Sequence, residues 1–228
     1  MSDPAGYTQI SSGPPRRTAT VFIVDDDPGM RKSLTWLVES VDLQVETFGS
    51  ASEFLEAYDP ERPGCLLCDV RMPGMSGLEM QERLRTIGST LPVIMMTGYG
   101  DITSAVRAMK AGAIDFLEKP ISDQVLLDHI QRAIARDSST RTGRGELLKI
   151  GQRLSLLTRR EQEVMSLVVE GYSSKEIASL LNVSFKTVEA HRAKIMRKME
   201  ARSVPHLIRM SLMRVGDRPA WPPIADRA

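Results

Sequence analysis

Residues 65–77 read CLLCDVRMPGMSG, and this stretch decides the fold of the first half of the chain. The apolar run 65–68 stops abruptly on an acid, Asp69, and a loop with Pro73, Gly74 and Gly77 follows. In an α/β domain such a run is a buried parallel strand, and an acid at its carboxyl end lies where open sheets of this kind place functional groups. Asp69 is thus a candidate nucleophile or metal ligand, against the plainer role of capping a turn or the next helix. Cys65 and Cys68 form a C-x-x-C. Three residues apart on a strand, they point to opposite faces and are core thiols rather than a redox pair.

Working outward, short apolar runs alternate with stretches of helical period. Strands are expected over 20–25, 43–48, 65–69, 92–97 and 113–117, and helices over 28–41, 51–59, 77–87, 101–111 and 122–136. Five βα units in succession imply a parallel sheet, doubly wound by right-handed crossovers, with every strand's carboxyl end on one edge. That edge collects Asp25, Asp26 and Asp27 after the first strand, Asp69 after the third, Thr97 after the fourth and Lys119 just after the fifth.

Clustered carboxylates repel unless a cation sits among them, and Mg²⁺ prefers a few oxygen ligands together with water and a phosphate. With the metal and Lys119 neutralising charge, the Asp69 carboxylate is placed to attack a phosphoryl group in line, and the Thr97 hydroxyl to donate to a phosphoryl oxygen. Asp27, directly before Pro28, reads instead as a helix N-cap with proline at the first helical position.

The segments VFIVDDD, CLLCDVRMPGMSGLEM, VIMMTGYG and AGAIDFLEKP, in this order and spacing over 19–138, resemble the receiver domain of two-component response regulators. The resemblance implies Asp25 and Asp26 as the acidic pair, Asp69 as phosphoacceptor, Thr97 as switch hydroxyl, Phe116 as switch aromatic and Lys119 as the phosphate-binding lysine. It implies a Mg²⁺ site completed by the backbone carbonyl of Arg71, and a cis peptide between Lys119 and Pro120. The D-x-D-x-T pattern of haloacid-dehalogenase-like phosphatases is not met. Asp25 and Asp27 supply D-x-D, but Gly29 stands at the fifth position and the MPGMSG loop has no place in that motif.

With 228 residues the chain suits two domains of roughly 100 residues each. At 42% hydrophobic and 26% charged it can build ordinary globular cores. The net charge of +1 hides an asymmetry: 13 Lys or Arg against 20 Asp or Glu over 1–137, a balance of −7, and 17 against 9 thereafter, a balance of +8. The basic half points to nucleic acid. No run approaches the ~18 apolar residues of a membrane span, and the N-terminus lacks the apolar core of a secretory signal, so the expected location is cytoplasmic with no membrane partner. Residues 1–18 read as a disordered leader, 19–136 as the receiver, 137–153 as a Ser-, Thr- and Gly-containing linker, 154–216 as an all-α domain of four helices and 217–228 as a flexible tail.

Within 154–216, Thr158 and Glu161 form a capping box and Gly171 ends that helix. Ser173 or Ser174 caps a second helix, a turn follows at Asn182 and Val183, and Ser184 caps a third that runs to about Met199. On the third helix Val188, Ile195 and Met199 face the core, which turns Lys186, Glu189, Ala190, Ala193 and Arg197 outward and Lys194 to the flank. Small residues between basic ones let a helix approach another surface closely. The arrangement resembles a helix-turn-helix recognition element.

LTRREQEV and GYSSKEIASLLNVSFKTVEAHRAKIMRKM resemble the C-terminal domain of LuxR-type regulators, which behind a receiver makes the whole chain similar to FixJ/NarL-class response regulators. The resemblance implies DNA contacts from Lys186, Thr187, Glu189, Ala190, Ala193, Lys194 and Arg197, although Glu189 departs from the lysine some members carry. It implies a transcription factor rather than an enzyme acting on a separate substrate. Its expected partners are a sensor histidine kinase, promoter DNA, RNA polymerase and a second copy of the chain on phosphorylation. The competing expectation is a DNA-binding protein whose receiver is an unphosphorylated dimer scaffold.

Overall fold

The computed structural model describes residues 18–98 and 102–213. The expected tail, and the expected leader apart from Thr18, lie outside the described residues. The chain divides into two compact units, one up to Arg141 and one from Thr142.

In the first unit β1 (Thr20–Val24), β2 (Gln44–Phe48), β3 (Gly64–Asp69), β4 (Val93–Thr97) and β5 (Asp115–Glu118) form one sheet in the order β2-β1-β3-β4-β5. All pairs are parallel. The connecting helices are α1 (Pro28–Glu39), α2 (Ala51–Ala57), α3 (Gly77–Thr86), α4 (Ile102–Lys110) and α5 (Asp123–Ser155). β1, β3 and β4 are buried along their whole length, which is why their sequences are continuous apolar runs rather than alternating ones.

Successive strand residues feed opposite faces. Phe22, Val24, Leu66, Cys68, Val93 and Met95 pack under Phe54 of α2, Leu78, Met80 and Leu84 of α3 and Ala108 of α4. Val21, Ile23, Cys65, Leu67, Ile94 and Met96 pack under Leu34 and Val38 of α1 and Leu126, Ile130 and Ala133 of α5. Each fully buried aliphatic side chain in these layers contributes about 1.5–3 kcal/mol. Cys65 and Cys68 fall in different layers, as their spacing requires, and both are free thiols. Burial, reinforced by the charge of Asp137, pushes the Cys65 thiol up to about 12, and burial with the charges of Asp69 and Asp25 pushes Cys68 well above the ordinary thiol value.

The strand order reverses between β1 and β3, so their carboxyl ends flank the crevice where a doubly wound sheet receives ligands. Asp25 and Asp69 stand there. Asp27 caps α1, accepting from the backbone N–H of Gly29 at 2.7 Å and of Met30 at 3.3 Å, with Pro28 at the first helical position.

The stretch 137–153, expected to be a linker, is helical along its whole length. α5 continues to Ser155 rather than ending at 136. Ser138, Ser139, Thr142, Gly143 and Gly145 are poor helix formers, and tertiary contacts outweigh them. In the first unit the buried Asp137 carboxylate accepts from the N–H of Gly64 at 2.9 Å and from Arg141 Nε at 2.7 Å. Arg141 also donates to the carbonyls of Pro60 and Arg62. Gly64 is obligatory in this arrangement, because a Cβ there would stand 1.8 Å from the Thr20 carbonyl oxygen. In the second unit Ile150 and Leu154 of the same helix are buried in its core.

That second core is helical throughout, as expected. Ile150, Leu154 and Leu157 pack with α6 (Arg159–Val169), α7 (Ser174–Leu180), α8 (Phe185–Lys198) and α9 (Val204–Met213). Capping boxes start α6 (Thr158 with Glu161) and α7 (Ser173 with Glu176), and Ser184 caps α8. Asn182, at φ 50°, makes the left-handed turn between α7 and α8.

Candidate functional site

The first site is built from strand ends. Asp25 and Asp69 are 2% and 8% exposed, and Lys119 Nζ joins them, 2.8 Å from Asp25 Oδ2 and 2.6 Å from Asp69 Oδ1. Each carboxylate is oriented from its other oxygen: Asp25 Oδ1 accepts from the N–H of Asp27 at 2.9 Å, and Asp69 Oδ2 from the N–H of Arg71 at 2.7 Å. Arg31 fixes the Asp25 backbone by donating to its carbonyl at 2.6 Å. Burial on its own lowers the basicity of the Lys119 ammonium, but the hydrogen bonds and charges of Asp25 and Asp69 outweigh it and raise its pKa above the ordinary lysine value.

Lys119 is held in place through the sheet. Its N–H donates to the carbonyl of Thr97 at 2.7 Å, which ties the end of β5 to the end of β4. Thr97 is itself buried. The Lys119–Pro120 peptide is cis. Phe116, half-buried, lies opposite Met95 in the β4–β5 register and packs on the α2–α3–α4 side of the sheet.

The loop after Asp69 returns so closely that the Gly77 N–H donates to the Val70 carbonyl at 3.1 Å. A Cβ on Gly77 would meet the Asp69 carbonyl oxygen at 2.2 Å and Cys68 Sγ at 2.6 Å. Glycine there is what lets α3 start directly against the Asp69 backbone.

Asp26 and Arg71 are exposed beside this pair. Among the described residues no three carboxylate, imidazole or thiol side chains converge as a ready-made metal cage. The cluster sets two buried carboxylates against one partly buried ammonium, a remainder of one negative charge facing the sheet edge. That donor set suits Mg²⁺, which takes one or two carboxylates and fills its octahedron with water and phosphate oxygens.

The second site is the outer face of α8. Lys186, Glu189, Ala190, Ala193, Lys194 and Arg197 are all exposed, while Val188 and Ile195 and the following Met199 are buried. Thr187 is half-buried, and its hydroxyl bonds to the Ser184 hydroxyl at 2.8 Å. Among the described residues Lys186, Lys194 and Arg197 make no ion pair, so their charge is available to an outside anion.

Two ties on α8 were not anticipated from the sequence. Lys198 reaches the Glu161 carboxylate at 2.6 Å and the Leu156 carbonyl at 3.0 Å, pinning the end of α8 to the start of α6. Glu161 is buried, which works to raise its pKa, but Lys198 and the Thr158 capping hydrogen bonds hold it down at about 2. The second tie joins Ser174, at the start of α7, to Glu189. The capping box marked Glu161 as placed, but nothing local named its lysine. The three histidines do not form a metal site: His129 bonds Asp115, His206 accepts from the N–H of Arg202, and His191 Nδ1 is buried without a hydrogen-bond partner.

Comparison with known proteins covers both sites. Residues 21–131 match the family described as response regulator receiver domain, and residues 155–211 match bacterial regulatory proteins of the luxR family. Nodulation protein W of Bradyrhizobium diazoefficiens is 45% identical over 90% of this chain and 88% of its own length. The chain belongs to the two-component response regulators. The transcriptional regulatory protein FixJ of Rhizobium meliloti is 44% identical over 85% of this chain and 95% of its own. The solved structure of the response regulator StyR, 45% identical, covers 86% of this chain and 98% of that one with a TM-score of 0.79.

As a response regulator the chain is a transcriptional regulator and not a classical enzyme. Its receiver implies a histidine kinase as partner and its LuxR-type domain implies DNA. No helix among the described residues is long and apolar enough to cross a membrane.

Proposed function

We propose that the response regulator accepts a phosphoryl group on Asp69 from its sensor histidine kinase and, once phosphorylated, dimerises and binds promoter DNA through α8. The observation that carries this is the Lys119 bridge between the buried carboxylates of Asp25 and Asp69 on the sheet's carboxyl edge.

In the transfer an Asp69 carboxylate oxygen attacks phosphorus in line, the bond from phosphorus to the donor breaks, and an acyl phosphate forms on Asp69. Asp25, Asp26, Asp69 and the Arg71 carbonyl would hold Mg²⁺, which when bound neutralises charge on the phosphoryl oxygens. Lys119 exchanges its contact with Asp69 for one with a phosphoryl oxygen. Thr97 then donates its hydroxyl to another, and Phe116 on the neighbouring strand follows the repacking.

The added charge, about −1.5 to −2, reaches the surface through β4 and β5. Ile102, Val106 and Met109 on α4 are exposed at one-turn spacing, and Val125 of α5 is exposed as well. Such an apolar stripe favours a dimer between copies of the α4–β5–α5 face. Two recognition helices would then meet adjacent half-sites, in the cytoplasm and within reach of RNA polymerase.

Incubation with Mg²⁺ and acetyl phosphate tests the chemistry. An acid-stable, hydroxylamine-labile label that disappears in Asp69→Asn is the expected result. Absence of label would leave the receiver as an unphosphorylated scaffold, and label surviving Asp69→Asn would remove Asp69 as the phosphoacceptor. Ultracentrifugation of the labelled protein on DNA tests the dimer, and a monomer there removes that step.

A further inference from the structure

Glu189 is the one acid in α8, and it stands in the middle of the exposed face between Lys186, Ala190, Ala193 and Arg197. Its carboxylate is held in place. Ser174 Oγ donates to Oε1 at 2.5 Å, and Arg192 Nε lies 3.9 Å from the same oxygen. Among the described residues nothing hydrogen-bonds Oε2. The small Ala190 and Ala193 beside it leave room for close approach.

A fixed carboxylate on a face that meets DNA repels phosphate and is tolerable only opposite a hydrogen-bond donor. In the major groove guanine presents only acceptors, N7 and O6, and thymine an acceptor and a methyl group. Adenine has the N6 amino group, but beside it is the N7 acceptor, for which a carboxylate has no proton. Cytosine alone offers its N4 amino group without a competing acceptor on its own edge.

We infer that Glu189 is a specificity-determining residue, whose free oxygen accepts the N4 amino hydrogen of one cytosine in each half-site. This rests on the proposed docking of α8 in the major groove. Ser174 acts through it as a positioning residue.

The test is selection of bound duplexes from a random pool by full-length protein, with and without acetyl phosphate, for wild type, Glu189→Gln and Glu189→Ala. Wild type is expected to fix a cytosine at one position of each half-site, preferred by roughly 10- to 100-fold over the other bases. Glu189→Gln moves that position to adenine, since an amide satisfies both N6 and N7, and Glu189→Ala loses the preference there. All other positions stay the same. Glu189 is exposed, and unchanged circular dichroism of the variants confirms the fold. A consensus identical in all three proteins overturns the assignment while leaving the DNA-binding function standing. A wild-type pool with no consensus overturns both.

Discussion

Lys119 Nζ stands 2.6 Å from Asp69 Oδ1, although 50 positions separate the two residues, and the same nitrogen reaches Asp25 Oδ2. The ammonium is what lets two buried carboxylates stand together at neutral pH. Its raised pKa keeps it charged, and the sign follows: the contribution to stability is complete below the ordinary lysine value and is lost as pH rises through the higher folded-state value.

Lys119→Met therefore leaves Asp25 and Asp69 uncompensated and, in the proposed transfer, removes a charge-assisted hydrogen bond to the phosphoryl group, worth about 1.5–3 kcal/mol. The rate of labelling by acetyl phosphate should fall roughly 10- to 100-fold. Rapid-quench labelling at saturating Mg²⁺ checks this, and a wild-type rate would remove Lys119 from the chemistry.

Glu161, held down at about 2 by Lys198 and the Thr158 cap, carries the opposite sign. Its stabilisation is present above the ordinary glutamate value and drains away as pH falls toward about 2. Hydrogen-exchange protection factors at α6 and α8, corrected for the intrinsic rate at each pH, should fall over that window in the wild type. In Glu161→Gln protection should be lower at neutral pH and depend less on acid.

The buried thiols should be inert. With Cys65 pushed up to about 12 and Cys68 raised well above the ordinary thiol value, almost no thiolate exists at pH 8. Iodoacetamide should label neither cysteine in the folded protein and both in urea, read by mass spectrometry. Rapid native labelling of either one would contradict the packing.

Gly77→Ala places a methyl group 2.2 Å from the Asp69 carbonyl oxygen, a backbone atom that cannot turn aside. A loss of about 2–4 kcal/mol is expected, enough to lower the melting temperature of the first unit by roughly 10 °C or more. Gly98→Ala, where nothing lies within 4 Å, serves as the control.

Lys186→Ala and Arg197→Ala should each weaken DNA binding across all sequences. Each should also flatten the dependence of log affinity on log salt by roughly one unit if it contacts a phosphate. Fluorescence anisotropy over a salt series measures both, and unchanged slopes would return these residues to a solvated surface.

What the sequence by itself determined is whatever depends on local pattern. Continuous apolar runs at β1, β3 and β4, helix-period stretches between them and caps at Asp27, Thr158, Ser173 or Ser174, and Ser184 gave element types and order, with most boundaries within two residues. The parallel topology followed, and with it the convergence of Asp25, Asp69, Thr97 and Lys119 on one edge. Period alone also turned Lys186, Glu189 and Arg197 outward from α8. Only the tertiary structure decided the rest, because the partners are remote in sequence and no local rule pairs them. Arg141 holds its stretch helical by reaching Pro60 and Arg62, so α5 runs through residues whose own propensity reads as a linker. Lys198 finds Glu161 and Ser174 finds Glu189 across helix contacts. Lys119 closes on Asp69 because parallel strands set their carboxyl ends side by side, and the charge balance of that site exists only once they do.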